Sequence, residues 1–222
     1  MNQSELNRCR GMLVTLMGVS PEFSVDFNQW YDREHIGERV GIPGFLTGVR
    51  YQAVRAFPQY FCLYQTESLA VFTSDAYRQA FQHQTPWSVT NLNRFKDCAR
   101  RVCAIVNQTG AGTGAWLSVL RLGRLANDRD IELLRQCGKA AQQTDGVIAT
   151  RLLVPAPELS GPLPTEDTAN RLLDPIFVID ATSEQVASAA GEMARAKVQA
   201  DTKNLSLYRL MWQLAKQDVS AP

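Results

Sequence analysis

The sequence predicts an α+β protein of tandem ferredoxin-like β-α-β-β-α-β repeats whose antiparallel sheets pack as a pseudo-dimeric barrel. Three observations lead there. An apolar, β-branched run over residues 11–19 recurs at 114–122, about 103 residues later, with Thr15 and Ser118 at matching places. Each run is followed by the same series of helical and extended patterns. The length of 222 residues suits two units of roughly 100 residues each. A single four-stranded sheet with helices on one face leaves its other face bare, and two such sheets bury those faces against each other.

In the first half, the strand at 11–19 leads to a helix over 21–39 and a second strand over 43–51. A third strand (60–66), a helix from Ser74 and a closing strand (99–106) complete the unit. In the second half, the strand at 114–122 is followed by a helix over 127–143, which Asn127 or Asp128 can cap. Strands at 145–153 and 176–181, a helix starting at Ser183 and Glu184, and a strand at 205–214 follow. Gly44 and Gly146 keep nearly the same offset, as do Arg50 and Arg151. The expected domains are 1–110, bearing the site, and 111–222, a scaffold, joined through the glycine-rich segment 108–113. One segment breaks the pattern. Residues 155–175 hold five of the ten prolines and read as a surface loop or as a cover over a cavity.

Composition removes several classes of function. A net charge of +1 lacks the basic surplus of a general nucleic-acid binder. No apolar run approaches the ~20 residues that span a bilayer. The stretch 1–10 is polar without a signal-peptide core, which points to the cytoplasm. Five cysteines without a CxxC pair suit reduced, mostly buried thiols. The two histidines, His35 and His83, lie 48 residues apart and do not suit a zinc site of His and Cys; carboxylate ligands stay open. Neither a GxGxxG helix opening nor a GxSxG elbow occurs, so no cofactor is predicted.

The densest chemistry lies in residues 26–45. On a helix turning 100° per residue, Phe23, Phe27, Trp30 and Tyr31 form one apolar arc about 100° wide. Glu34 falls inside that arc, as does Glu38 if the helix continues; His35 lies at its edge. A carboxylate on an apolar face costs several kcal/mol unless paired, hydrogen-bonded or protonated. Glu34 therefore has three solutions: an arginine partner, a wet helix end, or a polar cavity at the helix–sheet seam. A histidine at a helix end commonly complements the helix dipole. Here it keeps company with Tyr31, Glu34 and Arg39, a set able to move a proton and hold an anion. A second cluster, 81–91, contains His83 and Trp87 and reads as a loop because Pro86 biases Thr85 away from helix. The matching helix of the second half, 128–139, has no aromatic and no histidine.

The run Phe27-Asn28-Gln29-Trp30-Tyr31-Asp32-Arg33-Glu34-His35-Ile36-Gly37-Glu38-Arg39, continued by Ile42-Pro43-Gly44-Phe45, resembles proteins of the dimeric α/β-barrel superfamily, in particular EthD-like and related bacterial branches. The stretch 60–68 resembles their third strand. The resemblance is good over 11–107, and over 114–215 only element order survives. It implies the barrel fold, and for His35 a place facing the ligand cavity. The superfamily spans isomerases, cyclases, cofactor-free monooxygenases, haem enzymes and binding proteins, so the fold does not choose among them.

The expectation is a small-molecule enzyme using no tightly held cofactor, performing proton transfer on a polar cyclic or aromatic-derived metabolite. His35 is the expected base or acid and Glu34 its partner. Tyr31 and Arg39 stabilise negative charge, while Trp30, His83 and Trp87 shape the pocket. A small-molecule ligand, no nucleic acid and no membrane are the expected partners, with the chain a monomeric pseudo-dimer or a homodimer. The alternatives are a non-catalytic binding or assembly module and, more weakly, a haem-binding protein using His35 or His83.

Overall fold

The computed structural model describes residues 9–219. The polar N-terminal stretch noted above lies, over residues 1–8, outside the described residues. The strands β1 (Gly11–Gly18), β2 (Phe45–Arg55), β3 (Tyr60–Thr66), β4 (Lys96–Gly110), β5 (Trp116–Arg121), β6 (Val147–Pro155), β7 (Ile176–Ala181) and β8 (Leu205–Ala215) close into one barrel. Their order around it is β1-β3-β2-β8-β5-β7-β6-β4. Every pairing is antiparallel. The helices are α1 (Ser24–Trp30), α2 (Ile36–Gly41), α3 (Asp75–Gln82), α4 (Pro86–Asn93), α5 (Asp128–Ala141) and α6 (Glu184–Lys197). Each half thus runs strand, helical segment, two strands, helical segment, strand. Among the described residues, no helix is long and apolar enough to cross a membrane.

Closure happens within one chain, through the seams β2–β8 and β4–β6. These seams explain two differences from the sequence reading. The strand expected at 99–106 runs over Lys96–Gly110, because after a register shift between Ile105 and Asn107 it goes on to pair with β6. Half of the expected linker 108–113 is therefore strand. In the same way β2 continues to Arg55 against β8.

Strand alternation sorts the side chains into two apolar regions. Met12, Val14 and Leu16 of β1 point inward and pack with Phe61, Val178 and Tyr208 as the barrel core. Leu13 and Met17 point outward and pack under the first-half helices with Phe27, Trp30 and Tyr31. A polar cluster also carries inward parity: Asp180 accepts from Tyr51 (3.3 Å), Arg151 (2.6 Å) and the Gly114 amide (3.1 Å). In the second half, α5 and α6 cover the sheet with small and aliphatic residues such as Leu134, Ala190 and Ala194.

The segment between β6 and β7 does not hang free. After a 3₁₀ turn at Pro157–Leu159 it crosses to β4 of the first half. There the Ser160 hydroxyl accepts from the Val102 amide (3.0 Å) and donates to carbonyl oxygens. Glu166, buried, accepts from Arg171 (2.8 Å) and the Arg100 amide (3.1 Å) and forms an ion pair with Arg101. The segment is fastened by buried charge-assisted hydrogen bonds, which are stronger than neutral ones.

Close approach of α2 to the sheet depends on Gly48. A Cβ there would lie 2.9 Å from both Ile36 Cγ1 and Val40 Cγ2 and 3.1 Å from the Tyr64 ring. Gly48→Ala is expected to lower the unfolding free energy by about 1–3 kcal/mol, the range for overpacking. Urea denaturation checks this; an unchanged midpoint would contradict so tight a seam.

Candidate functional site

The segment after β1 is not one α-helix. A 3₁₀ turn (Pro21–Phe23) leads to α1, then a π turn spans Tyr31–His35 before α2 resumes. The wider π turn rotates each residue through less than the 100° of an α-helix, so His35 comes round onto the aromatic face. Its ring centroid lies 4.4 Å from that of Trp30 and 4.9 Å from that of Tyr31. Such insertions are frequent at functional sites.

His35, Tyr31 and Arg39 line a cavity of about 830 Å³ between the first-half helices and the outer face of the sheet. Thr15, Tyr64 and Arg100 supply its strand wall; Tyr77 and Phe81 of α3 supply another. Leu159, Pro162 and Leu163 of the inter-strand segment also line it, so the second half of the chain covers a cavity of the first. The seam cavity weighed for the acidic helix face exists, and it holds the imidazole.

His35 is partly buried, with its Nδ1 enclosed and without a hydrogen-bond partner. Burial, then the positive fields of Arg39 and Arg50, hold its pKa well below the ordinary 6.5, so the ring is neutral at neutral pH. The Tyr64 hydroxyl donates to that of Tyr31 at 2.9 Å. Burial pushes both phenols well above their usual range, which keeps them protonated. The Arg50 guanidinium, fully buried, lies 4.1 Å from the Tyr31 ring centroid, donates to Asn28 Oδ1 at 2.9 Å and pairs with Asp32. It anchors the π turn to β2. The pKa of the Cys62 thiol, buried on β3, is also shifted upward, mainly by burial.

Arg39 donates to the Ala80 carbonyl at 3.1 Å and lies 5.2 Å from the Phe81 ring centroid. Arg100 donates to the carbonyls of Leu159 (2.9 Å) and Gly161 (3.1 Å) and to the Tyr77 hydroxyl (2.8 Å).

The other sequence-selected residues do not line this cavity. Glu34 turns toward α4: its Oε1 accepts from Thr85 (2.6 Å), Ser88 (3.0 Å) and the Trp30 indole (3.2 Å). The expected pairing of Glu34 with His35 thus meets a different geometry, because the π turn carries the carboxylate to the helix–helix seam. Trp30 is fully buried behind His35 and also donates to Ser88 at 3.0 Å. His83 is exposed at the C-terminus of α3. Trp87 donates to Asp26 at 3.0 Å. Residues 81–91 are not all loop, as the sequence reading expected: Thr85 caps α4 and Pro86 occupies its first turn, where a missing N–H costs nothing.

Arg100, Tyr64, Tyr77 and Thr15 were not named as site residues from the sequence. Their one signal was parity: Thr15 and Tyr64 share the outward side of β1 and β3 with apolar neighbours. Among the described residues, no group of three or more His, Cys, Asp or Glu is placed to hold a metal ion.

Strand order, intrachain closure and a helix-covered outer face define an α/β-barrel fold with a closed eight-stranded antiparallel sheet. An anthrone oxidase-like protein shares it with a TM-score of 0.66 and 12% identity over 96% of each chain. A candidate monooxygenase of Fusobacterium nucleatum gives 0.61 and 6% identity, over 94% of this chain and 95% of the other. A chlorite dismutase variant from Candidatus Nitrospira defluvii gives 0.55 and 9%, over 99% and 98%. These likenesses show the fold. No protein-family model matches the sequence, and no curated protein matches it.

The depressed His35 pKa has a consequence for stability. Between the folded value and 6.5 the unfolded chain binds more protons, so stability rises with pH in that window. The contribution is complete above about pH 6.5 and is lost as the pH falls toward the folded value. Denaturation of native and His35→Gln protein at pH 7.5 and at pH 5 checks this. The native protein should lose more stability on acidification than the variant; equal losses would contradict a neutral, enclosed imidazole.

Proposed function

We propose that the chain is a small-molecule enzyme that transfers a proton on a polar cyclic or aromatic-derived metabolite without a tightly held cofactor, as an isomerase, a cyclase or a monooxygenase. The observation that carries this reading is one group: a neutral imidazole with an unpartnered, enclosed nitrogen, in the wall of a cavity it shares with Tyr31 and Arg39. The lowered pKa keeps the imidazole unprotonated but weakens it as a base, and the positive fields that lower it favour the anion that proton removal creates. His35 is the general base. Tyr31, kept protonated and itself receiving a hydrogen bond from Tyr64, donates to the developing oxyanion. Arg39 supplies fixed positive charge. Trp30 fixes the imidazole plane, and Glu34 acts as a positioning residue by fastening the π turn to α4. His83 and Trp87 stay outside the chemistry.

Fold neighbours described as anthrone oxidase-like and as candidate monooxygenases support an oxidative version of this reading. In that version His35 takes a proton from an activated methylene between aromatic rings. The carbanion adds dioxygen, and the resulting peroxide anion takes up a proton to give the hydroperoxide. Loss of water, with the remaining C–H proton leaving, gives the ketone. Two hydrogens leave the substrate, and dioxygen provides one oxygen to the ketone and one to water.

The test uses 1,8-dihydroxyanthrone as probe, following dioxygen uptake and quinone absorbance. His35→Ala is expected to lower the rate by about 100-fold or more, the usual worth of a positioned base. A native protein that accelerates no oxidation, isomerisation or proton exchange of the probe, or a variant as fast as native, would overturn the assignment.

A further inference from the structure

The cavity holds a second chemical feature, which shares Arg39 with the proton-transfer group. Two guanidinium groups face the ring of Phe81, Arg39 at 5.2 Å and Arg100 at 5.8 Å from its centroid. Both side chains are more than nine-tenths buried, with relative exposures of 4% and 7%. Both line the cavity, and the Nε of each is enclosed without a hydrogen-bond partner. Their charge is poorly matched. Arg39 has one carboxylate, that of Glu38, at 4.0 Å, and Arg100 has no ion pair among the described residues. The other arginine of the lining, Arg78, is exposed and pairs with Asp75; Glu158, the acidic member of the lining, is also exposed.

Buried arginine is normally matched by an anion, because desolvating a cation costs several kcal/mol when nothing returns the lost interaction. Elsewhere in this chain that rule holds. Arg101 pairs with buried Glu166 and Arg151 with buried Asp180. Arg100 departs from it: its donors go to two backbone carbonyls and a phenol, neutral acceptors that orient the fork without neutralising it. A pre-oriented, under-neutralised guanidinium beside an aromatic ring suits a planar ligand with an anionic oxygen group.

We infer that this end of the cavity is an anion subsite, and that the ligand is an aromatic carboxylate whose carboxyl group is held between Arg39 and Arg100 with its ring system against Phe81. The inference rests on reading the cavity as a small-molecule site, and it narrows the substrate class to an acid. Arg100 becomes the specificity-determining residue. Its bonds to Leu159 and Gly161 make the crossing segment part of the same subsite.

Anthracene-2-carboxylate and its neutral isostere 2-(hydroxymethyl)anthracene serve as probes, with affinity read from anthracene fluorescence at fixed ionic strength. The native protein is expected to bind the acid at least about ten-fold more tightly, a difference of about 1.4 kcal/mol. Arg100→Gln and Arg39→Gln should each erode that preference, and Arg100→Lys should keep part of it. Thermal melts of every variant accompany the titrations, and the comparison of acid with alcohol in native protein stands without any variant. Equal binding of the two probes by native protein would overturn the anion subsite while leaving the cavity a binding site. Binding of neither would overturn both readings.

Discussion

A closed barrel denies water to both faces of its strands. The inner face packs on itself, and the outer face lies under helices, so any polar side chain on either face must find its partners within the protein. That constraint shapes the first half of this molecule. The outward residues Thr15, Arg50, Cys62, Tyr64 and Arg100 all lie beneath cover. Arg50 is satisfied by Asn28, Asp32 and the Tyr31 ring. Thr15, Tyr64 and Arg100 line the cavity of about 830 Å³. The inner face meets the same demand differently, with Asp180 answered by Tyr51, Arg151 and the Gly114 amide. A barrel can therefore enclose many polar groups, most of them answered from within the protein.

Element order was legible because strands covered on both faces read as runs of apolar, β-branched and aromatic residues, and the paired runs at 11–19 and 114–122 gave the offset. Details failed for physical reasons. The π turn has no residue signature, since it arises from packing Trp30, Tyr31 and His35 against one sheet. A 100° wheel therefore put Glu34 on the inner arc and His35 at its edge, the reverse of their roles at the cavity. The extension of β4 to Gly110 was invisible because its partner β6 lies some forty residues away in sequence. Arg100 looked like any strand arginine until the crossing segment covered it. The cap at α4 was readable: Thr85 before Pro86 is a helix opening as much as a turn.

The halves use one arrangement of elements for different ends. In the first, the helix–sheet interface is aromatic and ionisable, with Phe27, Trp30, Tyr31 and His35 above Tyr64 and Arg100. In the second, alanine-rich α6 and aliphatic α5 lie on the sheet with no imidazole or aromatic ring on those helices. Aliphatic packing alone is enough to cover such a sheet. The aromatic and charged interface of the first half therefore needs a reason beyond burial, and the cavity provides one.

Because the seams β2–β8 and β4–β6 join parts of a single polypeptide, this barrel escapes a rule that binds its symmetric counterparts. When two identical subunits form such an assembly, any substitution is made twice, and a loop lengthened to shield one active centre intrudes equally on the other. A single chain removes that obligation. Here the 155–175 excursion leaves one half and covers a cavity of the other with no counterpart in return, an arrangement that exact symmetry forbids.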